Sequence, residues 1–324
     1  MLYTMPNEMR KVPLGSSGVE VSAVCLGAMF LGTKTDTEAS HAILDHYLES
    51  GGTFIDTANI YAHWINGFQG GESETVLGEW MRKRGNRSHL FLASKVGFQY
   101  PLVQRGLSAS TIEAECEKSL KRLGTDTIDL FYAHVDDRNT PLEETLEAFN
   151  RLVRSGKVRL VGASNFPAWR LAEARMIARD RSLAEYCCIQ QRFSYLQPKP
   201  GASFDPQLAA NAELLDFCAS RGLTLLAYSP LLGGAYTRAD RTIPQQYLWR
   251  DTEDRLARLK RLARELEVTA NQLVLAWLMQ SRPASIPVMA GGTVEQVEEN
   301  LGALGITLSE DQVSFLSKGN GAPA

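Results

Sequence analysis

The sequence predicts a (β/α)8 barrel, an α/β fold, with an N-terminal β-hairpin and two extra helices. Three observations carry this. Eight short apolar runs that read as buried strands alternate with helical stretches through 324 residues, about the length such a barrel needs. Helix caps and glycine stops fall between them. No GxGxxG follows any strand, so a doubly wound sheet, which gives the same alternation, lacks its dinucleotide fingerprint. No linker-like break in composition appears. The chain is therefore expected to be one domain over 1–324, with the hairpin in 10–22 and a C-terminal helix in 309–318.

Each element has its own signal. Apolar pieces on either side of Gly15-Ser16-Ser17-Gly18 predict the hairpin. The first barrel strand is 24–26. A helix from about Asp36 follows, with Ile43, Leu44, Tyr47 and Leu48 on one face and Gly51-Gly52 at its end. The second strand, 53–56, leads to a helix from about Glu72. The third strand is 90–95, and a Ser110/Glu113 capping box opens its helix, which Gly124 stops. The fourth strand is 128–134. Thr140, Pro141 and Glu143 read as N-cap, first-turn proline and capping-box partner of the next helix, closed by Gly156.

The fifth strand, 158–162, runs into Ser164-Asn165, with a helix over about 167–181. The sixth strand, 187–190, is followed by a long loop and a helix over 206–220. The seventh strand, 223–227, ends in Tyr228-Ser229-Pro230. Two helices in succession, 252–266 and 269–280, are the extra pair, the second with a Thr269/Gln272 capping box. The eighth strand is 284–288. Thr293/Gln296 caps its helix, and Ser309/Gln312 caps the last one.

Composition narrows the function. With 44% hydrophobic and 22% charged residues the chain is ordinary globular protein, and a net charge of -3 gives no electrostatic case for nucleic acid or an anionic membrane. No stretch has the length of a membrane span. The first ten residues carry no apolar core of a signal peptide. Five cysteines without CxxC or zinc spacing fit reduced thiols in a cytoplasmic compartment, with no metal site. The expected partner is a small molecule.

In a barrel all strand C-termini share one face, where chemistry belongs. The strand ends deliver Asp56 with Tyr61 just beyond, Lys95, His134, Ser164-Asn165, Gln190 and Tyr228. A lysine at the end of a buried strand needs a counter-charge, and Asp56 on the neighbouring strand is placed to supply it. A cation beside Tyr61 is expected to lower the phenol from about 10 toward working pH. A neutral His134 can hydrogen-bond a substrate oxygen. Singly, each has an ordinary reading: Asp56 as a cap, Tyr61 as packing, Lys95 snorkelling outward, His134 as a satisfied core histidine. Together, at successive strand ends, they suit proton transfer to an oxygen becoming an alkoxide, as carbonyl reduction by hydride requires.

These residues resemble the aldo-keto reductase family over essentially the whole chain. The matching stretches are Phe54-Ile55-Asp56-Thr57-Ala58 with Tyr61, Gly71-Glu72-Ser73-Glu74, Ser94-Lys95, Asp129-Leu130 with His134, Gly162-Ala163-Ser164-Asn165-Phe166, Gln190, Tyr228-Ser229-Pro230-Leu231, Ile286-Pro287 and Glu299-Asn300. The resemblance implies a nicotinamide-dependent oxidoreductase interconverting an aldehyde or ketone, sugar-like or alicyclic, with its alcohol. It implies Tyr61 as general acid, assisted by Lys95 and Asp56, with His134 orienting the carbonyl. It places Ser164, Asn165 and Gln190 on the nicotinamide carboxamide and Tyr228 against the ring. Ser229, Leu231 and Gly233 would follow the pyrophosphate, and Gly292, Thr293, Gln296, Glu299 and Asn300 the adenosine end. The alternative function within the fold is a non-catalytic nicotinamide-binding regulatory subunit, as beside ion channels; the complete catalytic set argues against it.

Two stretches depart from the family pattern. Members that prefer NADPH usually carry a Lys or Arg near the adenosine 2′-phosphate, yet no basic residue lies between Arg282 and Lys318. NADP(H) is the family expectation, with Arg238 or Arg241 as remote substitutes; NAD(H) or dual use is the alternative. The loop 62–71 is longer than usual. His63, Trp64 and Phe68 in it are candidate substrate-pocket residues, against the plain reading of a glycine-rich surface loop. The loops 197–205 and 233–250, with Tyr236, Tyr247 and Trp249, are expected to complete the pocket.

Overall fold

The computed structural model describes residues 9–318. The leader reading of the first ten residues falls mostly outside that span. Two short strands, β1 (Lys11–Pro13) and β2 (Glu20–Ser22), pair antiparallel as the expected hairpin. Eight parallel strands then close into a barrel. They are β3 (Cys25–Gly27), β4 (Phe54–Asp56), β5 (Phe91–Val96), β6 (Ile128–Ala133), β7 (Val158–Ser164), β8 (Tyr186–Arg192), β9 (Thr224–Tyr228) and β10 (Ser285–Met289). β10 pairs with both β9 and β3, which closes the ring without a free edge.

The hairpin seals the N-terminal mouth. Leu14 is fully buried there, packed in a cluster with Val21, Cys25, Phe54, Phe91 and Leu130. Gly15 follows with a left-handed backbone, and a Cβ on it would sit 2.1 Å from the Cys187 carbonyl. Only glycine fits that approach. Its N–H donates to Thr224 Oγ1 at 2.6 Å, tying the hairpin to β9.

The helices form the outer ring: α1 (Thr37–Glu49), α2 (Glu72–Arg84), α3 (Ala109–Leu123), α4 (Leu142–Arg154), α5 (Ala168–Asp180), α6 (Ala212–Arg221), α7 (Thr252–Glu265), α8 (Ala270–Gln280), α9 (Val294–Leu301) and α10 (Glu310–Ser317). The α7–α8 pair precedes β10, as expected. Capping boxes at Thr269/Gln272 and Ser309/Gln312 are both complete. At α9 only half forms: Thr293 accepts from the Gln296 amide, while the Gln296 side chain turns to the Gly292 N–H.

Three helix starts differ from expectation. Ser108, not Ser110, caps α3 by accepting from Thr111 N. Pro141 occupies the N-cap of α4 without a side-chain bond, because the Thr140 hydroxyl donates to Asp137 instead. α6 begins at Ala212 under an Asn211 cap rather than near 206, because β8 continues to Arg192 and the following loop returns to bond its end.

Tight α2–α3 contact yields a test. A Cβ on Gly78 of α2 would lie 2.3 Å from the Arg122 backbone oxygen. Helix propensity alone favours Gly78→Ala by about 1 kcal/mol. The overlap is expected to outweigh this and give a net loss of about 1–3 kcal/mol. Urea unfolding measures it; an unchanged or raised midpoint contradicts the packing argument.

Candidate active site

Parallel pairing brings every strand C-terminus to one end of the barrel. The β4–β5 register sets Asp56 opposite Ala93, so Lys95 stands two residues further on and on the same inward face. Lys95 is 0% exposed and Asp56 1%, and their Nζ and Oδ1 atoms form a direct ion pair. The ammonium also donates to Thr57 O at 2.8 Å and to the Tyr61 hydroxyl at 2.7 Å. All three of its protons are therefore used. Tyr61 OH lies 3.4 Å from Asp56 Oδ1.

His134 follows β6 directly, and its N–H bonds Val96 O at 2.8 Å. The imidazole packs edge-on against Phe98 at 4.6 Å and faces Tyr61 at 6.1 Å between ring centroids. Burial, with the Lys95 charge adding to it, holds its pKa well below the ordinary histidine range. That direction favours the neutral imidazole. Tyr61 moves opposite to expectation. Burial and then the Asp56 carboxylate push the phenol well above its ordinary value. It is held as a protonated donor and is not brought toward the phenolate. Burial also lowers Lys95, with Asp56 opposing.

Ser164, Asn165 and Gln190 lie beside this set. Ser164 ends β7 opposite Gln190. Gln190 Nε2 donates to Asp56 Oδ2 at 2.9 Å and so joins the charged pair. Asn165 has a left-handed backbone, φ 58°. Its side chain bonds His134 O, Leu208 N and the Tyr228 hydroxyl, which links three strand ends.

One cavity of about 920 Å³ opens at Asp56, Tyr61 and His134. It runs past Ser164, Asn165, Gln190, Tyr228, Ser229, Leu231 and Gly233 to Gln296, Glu299 and Asn300. The chain turns along it with positive φ at Ser229, Leu232, Gly233 and Gly234. Gly292 and Thr293 do not line it, since they are engaged in capping α9.

The 62–71 loop divides. His63 and Trp64 line the cavity, with Trp64 50% exposed at the mouth and His63 edge-on to it. Phe68 does not line it. The loop is fastened to the start of α2, where the Glu72 carboxylate accepts from Gln69 N and Gly70 N. Of the two remote arginines, Arg238 lines the cavity and Arg241 does not. Tyr236, Tyr247 and Trp249 do not complete this pocket. Tyr236 bonds Ser194 and the Leu196 amide in the core, Tyr247 is buried, and Trp249 donates outward to Gln197 O.

Sequence reasoning missed Phe30, Phe98, Arg192 and Asn271 in the wall. Phe98 and Arg192 sit just after or at the end of strands, so a longer reading of strands three and six would have found them. Asn271 comes from α8, far from any motif. It bonds Thr237 through Nδ2 and leaves Oδ1 without a partner, a buried acceptor beside the cavity.

Fold and site together define a barrel oxidoreductase with a Tyr–Lys–Asp–His cluster at its C-terminal face. The aldo/keto reductase family model matches residues 23–319, and the chain belongs to that family. Norsolorinic acid reductase stcV of Emericella nidulans is 34% identical over 92% of this chain and 78% of its own. Aryl-alcohol dehydrogenase [NADP(+)] of Phanerodontia chrysosporium is 30% identical over 93% of this chain and 83% of its own. A solved thermostable aldo-keto reductase in complex with the inhibitor epalrestat superposes with a TM-score of 0.75 at 30% identity, covering 95% of this chain and 99% of that one. The chain is thus an oxidoreductase acting on carbonyl compounds, from a family that binds nicotinamide cofactors. Among the described residues no helix is long and apolar enough to cross a membrane.

Neutral His134 makes stability depend on pH. The unfolded imidazole takes up a proton near pH 6.5, whereas the folded one does so only at lower pH. The unfolded state binds more protons in between, so stability is present above about 6.5 and falls as pH drops below it. The slope assigned to this group is at most about 1.4 kcal/mol per pH unit. Urea unfolding between pH 5 and 7 is expected to show a flatter slope for His134→Asn than for the native chain; equal slopes contradict the assignment.

Proposed function

We propose that this protein interconverts an aromatic or alicyclic aldehyde or ketone and its alcohol, using NADP(H). The observation that carries the reading is the buried Lys95 ammonium bonded at once to Asp56, Thr57 and Tyr61, behind the Asp56 and Tyr61 wall of the cavity. A nicotinamide held along this cavity would supply the hydride for the carbonyl carbon. The protein supplies the rest.

Tyr61 is the general acid. Its raised pKa keeps the proton in place until the oxygen gains charge. Lys95 then stabilises the phenolate left behind, and Asp56 keeps that lysine charged in a site that would otherwise strip its proton. Neutral His134, beside Tyr61, hydrogen-bonds the same oxygen and sets the carbonyl's orientation. For alcohol oxidation the same groups act in reverse.

Ser164, Asn165 and Gln190 are assigned to the carboxamide and Tyr228 to the ring. Ser229, Leu231 and Gly233 are assigned to the pyrophosphate, and Gln296, Glu299 and Asn300 to the adenosine. The unpartnered Asn271 Oδ1 in the same wall suits a donor from such a ligand. Arg238 is the basic group assigned to a 2′-phosphate, and the NADP(+) in the name of the Phanerodontia chrysosporium relative supports it. Its ion pair with Asp240 competes for the same guanidinium, which leaves NAD(H) as a second cofactor. Phe30, Trp64, Phe98 and Phe204 give the substrate end an aromatic wall. That wall favours a flat ring over a sugar.

Turnover of 4-nitrobenzaldehyde, followed by cofactor absorbance with NADPH and NADH side by side, tests the reading. Efficiency is expected to be higher with NADPH. Tyr61→Phe is expected to lower kcat by about 10²–10⁴-fold with cofactor affinity within a few-fold. Near-normal kcat in that variant would mean another acid. Cofactor binding without turnover of any carbonyl would favour a regulatory subunit.

A further inference from the structure

We infer that Arg192 is an anion-recognition residue of the substrate pocket, so that the preferred substrates are carbonyl compounds bearing a carboxylate. The inference rests on the carbonyl-reducing reading above and deepens it. Arg192 is the last residue of β8, paired in register with Tyr228. Its main chain is fixed on both sides, donating to Leu208 O at 3.2 Å and accepting from Ala210 N at 2.8 Å. The side chain therefore starts from a rigid point in the wall of the cavity that holds Tyr61 and His134.

The guanidinium is enclosed by rings. Its central carbon lies 4.9 Å from the Phe204 centroid and 5.4 Å from that of Tyr228. It also comes within hydrogen-bonding reach of the Tyr228 and Tyr247 hydroxyls, and by its charge and that contact opposes the burial-driven rise of both phenols. One Nη donates to the neutral Gln207 side chain. Nε is buried and makes no hydrogen bond. Among the described residues no carboxylate comes within ion-pairing distance of it, although exposed Asp205 lines the same cavity. Enclosed arginines elsewhere in the chain are paired, as Arg255 with Asp251 and Arg122 with Glu74.

A partly desolvated cation that has only neutral partners and an unpartnered Nε is costly unless an anion completes it. The planar fork suits a carboxylate held by two parallel bonds, and the flanking rings stiffen it at little entropic cost. Phe204 would then face the flat substrate whose carboxylate Arg192 holds.

The test pairs 4-carboxybenzaldehyde with its neutral isostere, methyl 4-formylbenzoate. The native enzyme is expected to prefer the acid in kcat/KM, chiefly through KM. Arg192→Gln is expected to reduce that preference by about 10–100-fold, the worth of a charge-assisted hydrogen bond. Arg192→Lys, which keeps the charge without the fork, should retain part of it. Calorimetric titration of 4-(hydroxymethyl)benzoate against its methyl ester, on the same three proteins, reads the site without turnover. Circular dichroism and thermal melting establish that the variants are folded. An acid-to-ester ratio near one in the native enzyme, or one unchanged in Arg192→Gln, overturns the assignment. Arg192-dependent binding of the carboxylate without turnover of either aldehyde would instead sink the proposed reaction and leave the anion site standing.

Discussion

The ion pair between Lys95 and Asp56, sealed inside the C-terminal end of the barrel, is the interaction on which the rest of the site depends. Two charges this deep in a protein are not stabilising by themselves; desolvation costs each several kcal/mol. The cost is met only when geometry is good and the remaining donors and acceptors are used. Thr57 O and Tyr61 complete the lysine, and Gln190 completes the aspartate. Tyr61 is thus part of the arrangement that makes the pair tolerable. Removing one partner of the pair leaves the other as a buried, uncompensated charge.

A second layer of polar contacts holds this arrangement from behind. Ser94, adjacent to Lys95, donates to buried Glu74 at 2.5 Å, and Arg122 reaches the other oxygen of that carboxylate at 2.6 Å. Asn59, two residues before Tyr61, donates to Glu115 at 2.7 Å, and Tyr100 shares the same oxygen. The strand bearing the lysine and the loop bearing the phenol are therefore anchored separately to α2 and α3. Such supporting bonds fix reacting groups to the tolerance that proton transfer needs. They also explain why Glu74 and Glu115 are buried although neither borders the cavity.

The eight strands, the helix pair and the hairpin were legible in the sequence because each rests on short-range periodicity and on caps. Asp56, Lys95 and His134 were legible because a strand end in a parallel barrel has one possible direction. Local signals fail where two neighbours compete, as Ser108 and Ser110 do for the cap of α3. They fail again where a loop returns across the face. Tyr236, Tyr247 and Trp249 were read into the pocket as aromatic loop residues, and the fold turns Tyr236 to the core, Tyr247 to an adjoining cavity and Trp249 to Gln197 O. Arg192 and Asn271 enter the wall through tertiary placement alone. The direction of the Tyr61 shift was missed for a related reason. The sequence shows the lysine that lowers a phenol, but not the burial that raises it.

The central claim is that Lys95 and Asp56 act on Tyr61 as one unit. A double-mutant cycle on kcat for an aromatic aldehyde, with Lys95→Met, Asp56→Asn and the combined variant, measures it most directly. Each single change is expected to cost at least about 100-fold, the lower end of general acid catalysis. The double variant should then be hardly worse than either single one. Losses that multiply in the double variant would show two independent contributions and contradict the account.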